Sequence, residues 1–157
     1  MSLIRVFVLL VLLALGMPAC AGPSAKHHST LAFAEVAEPD AQAGRDYALR
    51  VRAADGADHV RLLEPEVFDV ASASYASDEF GSPGVGFDLA PHEQDRFRAW
   101  TAERVNRKIA VLVDGRVLQV VTIRDALPGR GIISGGAQRF TNQEVHELVA
   151  GLESAAH

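Results

Sequence analysis

Residues 109–123 read Ile-Ala-Val-Leu-Val-Asp-Gly-Arg-Val-Leu-Gln-Val-Val-Thr-Ile. Ile109 to Val113 is an unbroken β-rich run, Asp114-Gly115 is a two-residue hairpin turn, and Arg116 to Ile123 returns. In a regular return strand Val117, Val121 and Ile123 share one face, and Leu118 and Val120 the other. Apolar residues on both faces predict that this return strand is central in its sheet. Upstream, Val85, Phe87 and Leu89 alternate as a strand. Pro91 suits the first turn of a helix, and Glu93 and Asp95 complement its dipole. Phe97, Trp100, Thr101, Arg104 and Val105 recur at helical spacing, with Arg104, Arg107 and Lys108 at the closing end. Downstream, residues 124–131 form a loop, and Ile132-Ile133-Ser134 reads as a short strand closed by Gly135-Gly136. Thr141-Asn142-Gln143-Glu144 is a capping box for a last helix with the stripe Val145, Leu148, Val149 and Leu152. The order predicts an α+β fold: two helices packed on a mainly antiparallel sheet.

Nearer the N-terminus the signals are weaker. Leu31 and Phe33 alternate with alanines, a strand signal, and residues 40–44 read as a turn. Tyr47, Leu49 and Val51 alternate with Ala48 and Arg50; Asp55-Gly56 turns the chain, and Val60 and Leu62 return it. Glu64-Pro65-Glu66 breaks that strand, residues 67–76 are extended, and residues 77–84 form a loop.

The chain has 157 residues, a formal net charge of -5, 48% hydrophobic residues and one cysteine. The length fits one domain with enough apolar content for a core. The acidic balance excludes a sequence-independent nucleic-acid binder, which needs a basic face. A lone cysteine excludes an intramolecular disulfide and a thiol cluster for a metal. Arg5, the apolar run of residues 6–15 and Gly16-Met17-Pro18-Ala19 form a signal peptide over residues 1–20; the run is too short to span a bilayer, which takes about 20 apolar residues. Two cleavage readings stand. In the favoured one, Met17-Pro18-Ala19-Cys20 is a lipobox and Cys20 carries the lipid anchor. In the other, Ala19-Cys20-Ala21 is a small-x-small site that leaves Gly22 first. Residues 21–30 should be a flexible tether, residues 31–152 the folded domain and residues 153–157 a tail.

No constellation of reactive residues rises above its structural explanation. Gly131 to Gly136 lacks the spacing of a nucleophile elbow, and His146, the base nearest to Ser134 in sequence, reads as a surface or half-buried structural histidine of the last helix. The glycines of residues 129–136 match neither phosphate-binding pattern. His27-His28, His59 and His92 have no partners at metal-ligand spacing. The reading is an exported α+β domain with no enzyme activity, no cofactor and no metal site.

Over about Leu31 to Leu152, and firmly from about Val67, the order of segments resembles the head subdomain of the first periplasmic domain of SecD/SecDF, the accessory component of the protein-export translocase. Gly84-Val85-Gly86-Phe87-Asp88-Leu89 with Pro91 is similar to its strand-into-helix step, and Phe97, Thr101 and Val105-Asn106-Arg107-Lys108 to its helix. The hairpin of residues 109–118, then Val121-Thr122-Ile123-Arg124, Ile133-Ser134-Gly135 and the helix opening at Thr141 complete the likeness. Leu62-Leu63-Glu64-Pro65-Glu66-Val67-Phe68 is similar to the segment leading into that head. One departure stands out: Ala90 occupies a position where a polar N-cap is expected.

The resemblance implies a non-catalytic binding module on the periplasmic face of the envelope, contacting polypeptide or an envelope protein complex; the lipobox reading adds a lipid anchor at Cys20. Ala21 after the cysteine, in place of Asp, points to the outer membrane. The loop from Arg124 to Gly136, with Arg124 and Arg130 steering and an exposed Leu127 anchoring, is the candidate contact surface. The alternative is a small-ligand-binding lipoprotein or small enzyme, which a deep polar pocket near Ser134 and His146 would favour.

Overall fold

The computed structural model describes residues 29–39, 42–50 and 56–155. The signal peptide, Cys20, most of the tether and Val51 lie outside them, as do parts of the two turns expected at residues 40–44 and 55–56. Nine strands and two helices follow in order among the described residues: β1 (Leu31–Glu35), β2 (Arg45–Ala48), β3 (His59–Leu62), β4 (Glu66–Phe68), β5 (Val70–Ser77), β6 (Pro83–Leu89), α1 (Pro91–Ala102), β7 (Lys108–Val113), β8 (Arg116–Thr122), β9 (Arg130–Ile133) and α2 (Asn142–Ala155). The fold is α+β, and every strand pairing is antiparallel. One sheet has the order β4-β1-β7-β8, a second β5-β6-β9, and β2-β3 is a separate hairpin. No helix among the described residues is long and apolar enough to cross a membrane.

The four-stranded sheet is buried on both faces. Leu31, Phe33, Ile109, Val111 and Val113 point into the main core, which they share with Val85, Phe87 and Leu89 of the second sheet, Phe97 and Trp100 of α1, and Val145 and Leu152 of α2. Ala32, Ala34, Ala110 and Leu112 point the other way, against Tyr47, Leu49 and Val60 of the β2-β3 hairpin. The alanines let the hairpin lie close on that face.

Two expectations for the hairpin of residues 109–123 are corrected. The central strand is β7, buried from Ile109 to Val113, whereas β8 is an edge strand that meets only a single isolated parallel bridge, from Leu49 just after β2 to Val117. The ladder also slips: Val111 pairs with Gln119 but Leu112 pairs with Val117, so Leu118 is an inserted bulge residue. One extra residue reverses the side-chain alternation. Leu118 therefore joins the main core with Ile123, Val117 turns to the smaller cluster, and Val120 is 40% exposed. Val121 packs only partly buried against the main core.

Helix α1 opens at Ala90, whose side chain offers no cap. Ala90→Ser should therefore raise stability by about 0.5–2 kcal/mol, read as an upward shift in thermal unfolding; an unchanged midpoint would show that the N-terminal amides are already satisfied. The helix ends before the basic residues expected in its last turn. Arg104 lies just beyond it, where Nη1 donates to Trp100 O (2.9 Å) and the guanidinium lies 4.2 Å from the Trp100 ring centre. Asn106, at φ 67, turns the chain toward β7, and Val105 is exposed rather than part of the buried stripe. The capping box of α2 forms as expected: Thr141 N–H donates to Glu144 Oε2 (2.7 Å) and Glu144 N–H to Thr141 Oγ1 (3.2 Å).

Candidate functional site

A groove of about 870 Å³ lies between α2 and the β7-β8 hairpin. Its apolar lining is Val113, Leu118 and Leu148; Arg116 stands on the hairpin side and Glu147 on the helix side. The bulge builds this lining, because it turns Leu118 to the α2 side of the sheet. Arg50 closes one end. Its Nη1 donates to Glu144 (2.7 Å), its Nη2 donates to Gln138 O, and the guanidinium lies 4.5 Å from the Phe140 ring centre. Glu144 is held below the ordinary glutamate range, first by the Thr141 amide and further by the Thr141 hydroxyl and Arg50. Ser29 lines the other end, against Asp114 and Gly151.

The candidate loop is placed differently. Residues 124–129 are irregular, but Arg130 already opens β9, which pairs with β6. Arg124 and Arg130 are exposed as expected. Leu127 is not: it is half-buried against the main core, and its N–H donates to Thr101 Oγ1 (2.9 Å). The fully buried Thr101 hydroxyl in turn donates to Phe97 O (2.9 Å), so the loop is bonded to α1 through one side chain. Leu127→Ala should therefore lower stability by about 1–3 kcal/mol in urea titrations, the loss of a partly buried leucine. Arg130→Ala should leave the midpoint within about 0.5 kcal/mol, as for surface changes generally. A Leu127→Ala chain as stable as the wild type would return Leu127 to the surface.

Ser134 and His146 share no hydrogen bond among the described residues, and neither lines the groove. His146 is exposed and lies against Tyr75, with ring centres 5.7 Å apart. The fold does bring a partner to His92. Asp69 Oδ2 lies 3.4 Å from His92 Nε2, and Glu93 is close enough that ligand atoms of the three fall within 4.8 Å. Glu93 is committed to Arg96 at 2.6 Å, which holds its carboxyl below the usual range. The group sits at the positive end of α1, so it is an ion-pair network rather than a cation cradle. Arg96 also donates to Glu66 (3.0 Å) and to Val67 O (2.6 Å), capping a carbonyl of the edge strand β4.

Comparison with known proteins follows the same segments. The chain is 30% identical over 80 residues to the protein translocase subunit SecD of Aquifex aeolicus, covering 51% of this chain and 15% of that protein. It is 31% identical over 108 residues to SecD of Leptotrichia buccalis, covering 68% of this chain and 26% of that protein. Against SecDF of Thermus thermophilus the identity is 32% over 88 residues, 56% of this chain and 12% of that protein. The chain thus spans about a quarter or less of the length of these relatives. A solved structure of SecDF, described as a membrane component that enhances protein export, shares the fold with a TM-score of 0.64 at 23% identity, covering 83% of this chain and 64% of that one. The family model described as SecDF, P1 head subdomain, matches residues 59–156, from β3 through α2, and the chain belongs to that family.

Proposed function

We propose that the chain is a non-catalytic binding module of protein export, exposed on the periplasmic face of the envelope and contacting polypeptide or an envelope protein complex. The groove between α2 and the β7-β8 hairpin carries this reading. Its floor is Val113 and Leu118, with the half-buried Leu148 beside them, and charges of both signs stand at its rim. An open groove with an apolar floor suits an extended chain, whereas the small-ligand and enzyme readings need polar groups converging near Ser134 and His146. The relatives' name, protein translocase subunit, supports polypeptide as the ligand class. Arg124 and Arg130 form a second, electrostatic contact surface. In this reading Cys20 carries a lipid that holds the domain at the membrane, with Ala21 assigning the anchor to the outer membrane. No cofactor and no nucleic acid take part.

The test is a fluorescence titration with a reduced, carboxymethylated model polypeptide that cannot fold. Ala150 is exposed on α2 and lines the groove, so Ala150→Arg should fill it without disturbing the core. Binding should weaken about tenfold, which is about 1.4 kcal/mol, with the melting temperature unchanged. Undiminished binding moves the contact to Arg124 and Arg130. If the wild-type chain binds no unfolded polypeptide, the polypeptide reading fails and docking on an envelope complex remains.

A further inference from the structure

The chain enters the fold through a clamp. Ser29 N–H donates to Gly151 O (3.1 Å), Ser29 Oγ–H to Asp114 Oδ2 (2.9 Å), Thr30 N–H to Asp114 Oδ1 (2.9 Å), and Asp114 N–H to Thr30 O (3.1 Å). Ser29 is 8% exposed. A Cβ on Gly151 would lie 2.3 Å from Ser29 Oγ, so the helical glycine is what admits the serine. Turn chemistry alone accounts for Asp114 in the hairpin but not for the use of both its carboxylate oxygens on the incoming chain. The point where the chain leaves the domain is therefore fixed, between the Asp114-Gly115 turn and the last turns of α2.

We infer that this clamped end, with the mouth of the groove beside it, is the face turned toward a lipid bilayer, and that the opposite end, at Phe80, points away. The inference rests on the proposed lipid anchor at Cys20. Eight residues separate Cys20 from Ser29, and an extended chain gains at most roughly 3.3–3.6 Å per residue, a reach of about 30 Å over the nine steps. The far end is set by α2, 14 residues and about 20 Å along its axis. Its first residue, Asn142, accepts from the Tyr75 hydroxyl (3.1 Å). Tyr75 lies near the end of β5, and Phe80, 76% exposed, sits on the turn that follows. The clamped end mixes Asp114 and Glu147 with Arg116, so it offers no basic patch to anionic lipid. Proximity to the bilayer comes from the tether and is independent of salt.

Energy transfer to an acceptor-labelled lipid tests this on the lipid-bearing full chain in phosphatidylcholine vesicles. Cys20 is the only cysteine, so Glu153→Cys and Phe80→Cys each create a unique dye site once Cys20 is acylated. Transfer from position 153 should be about twofold higher than from position 80, given roughly 20 Å of helix between the two ends, and added salt should not change it. Inserting about nine Gly/Ser residues between Ala25 and Lys26 should lower transfer from position 153 and shrink the contrast, because a tether twice as long lets the clamped end stand farther from the bilayer. Equal transfer from both positions, or stronger transfer from position 80, overturns the orientation while leaving the anchor standing. A Cys20→Ser chain that stays on the vesicles removes the anchor reading itself, and the inference with it.

Discussion

Val111→Asp should abolish the cooperative thermal transition of the domain at neutral pH. Val111 is 4% exposed on the central strand β7, paired with Phe33 on one side and Gln119 on the other, and its side chain faces the main core. A charged carboxylate there has no partner, so it must take a proton. Holding it neutral at pH 7, about three units above its ordinary pKa, costs roughly 4 kcal/mol. The neutral group still lacks a hydrogen bond, which costs about another 1–3 kcal/mol, and the lost valine contacts add roughly 1.5 kcal/mol. Domains of this size are stable by only about 5–15 kcal/mol, so these costs consume most or all of it. The burial raises the folded-state pKa of the new carboxyl, so the unfolded chain is the one that gains by losing the proton as pH rises. Relative to the wild type, the variant should therefore recover as pH falls toward 4. A Val111→Asp chain that melts within a few degrees of the wild type at pH 7 would mean that position 111 has water beside it. Val121→Asp should be milder, since Val121 is only partly buried.

β6, the start of α1, the turn of the β7-β8 hairpin and the capping box are legible in the sequence because each carries its own local signal. Phe87 and Leu89 alternate, Pro91 starts a helix, Asp114-Gly115 makes a two-residue turn, and Thr141 and Glu144 bond to each other. The misplaced features depend on contacts between distant segments. Nothing local marks Leu118 as a bulge; it is defined only by pairing with β7. Arg116-Val117-Leu118 therefore read as a regular strand, and the parity of its faces came out reversed. Leu127 looked exposed because it lies in a loop, yet Thr101, buried on α1, holds that loop down. The groove was invisible for the same reason. Its lining comes from residues 29, 50, 113–118 and 144–154, which only the folded chain assembles. Asp69 and His92 are likewise brought together by the start of α1 meeting the β4-β5 junction. The family resemblance carried the segment order, which is a linear property, and carried none of these pairings.

A chain beginning at residue 59, where the family match begins, should not fold cooperatively. The match omits β1 and β2. Yet β1 lies inside the four-stranded sheet, pairing with β4 through Leu31-Phe68 and Phe33-Glu66 and with β7 from Leu31-Val113 to Glu35-Ile109. Without it, the three-residue β4 loses its sheet and the inner edge of β7 loses its hydrogen bonds at buried positions, each costing about 1–3 kcal/mol if left unmade. The core loses as much. Phe33 stands among four aromatic rings, with centre distances of 4.8 Å to Phe97, 5.8 Å to Phe68, 6.0 Å to Phe87 and 6.4 Å to Trp100. It therefore joins the first sheet to the second sheet and to α1. Phe33→Ala in the full chain should cost about 3–5 kcal/mol, and Phe33→Leu, which keeps most of the volume, less than about half of that. Trp100 is the only tryptophan and 6% exposed, so its emission in urea reports both variants directly. The shortened chain should show Trp100 emission already shifted to the red without denaturant, and no sigmoidal transition. A sharp transition with native-like emission from residues 59–157 would show that the matched segment carries its own core. It would also reduce β1 to a strap added at an edge the sheet can spare.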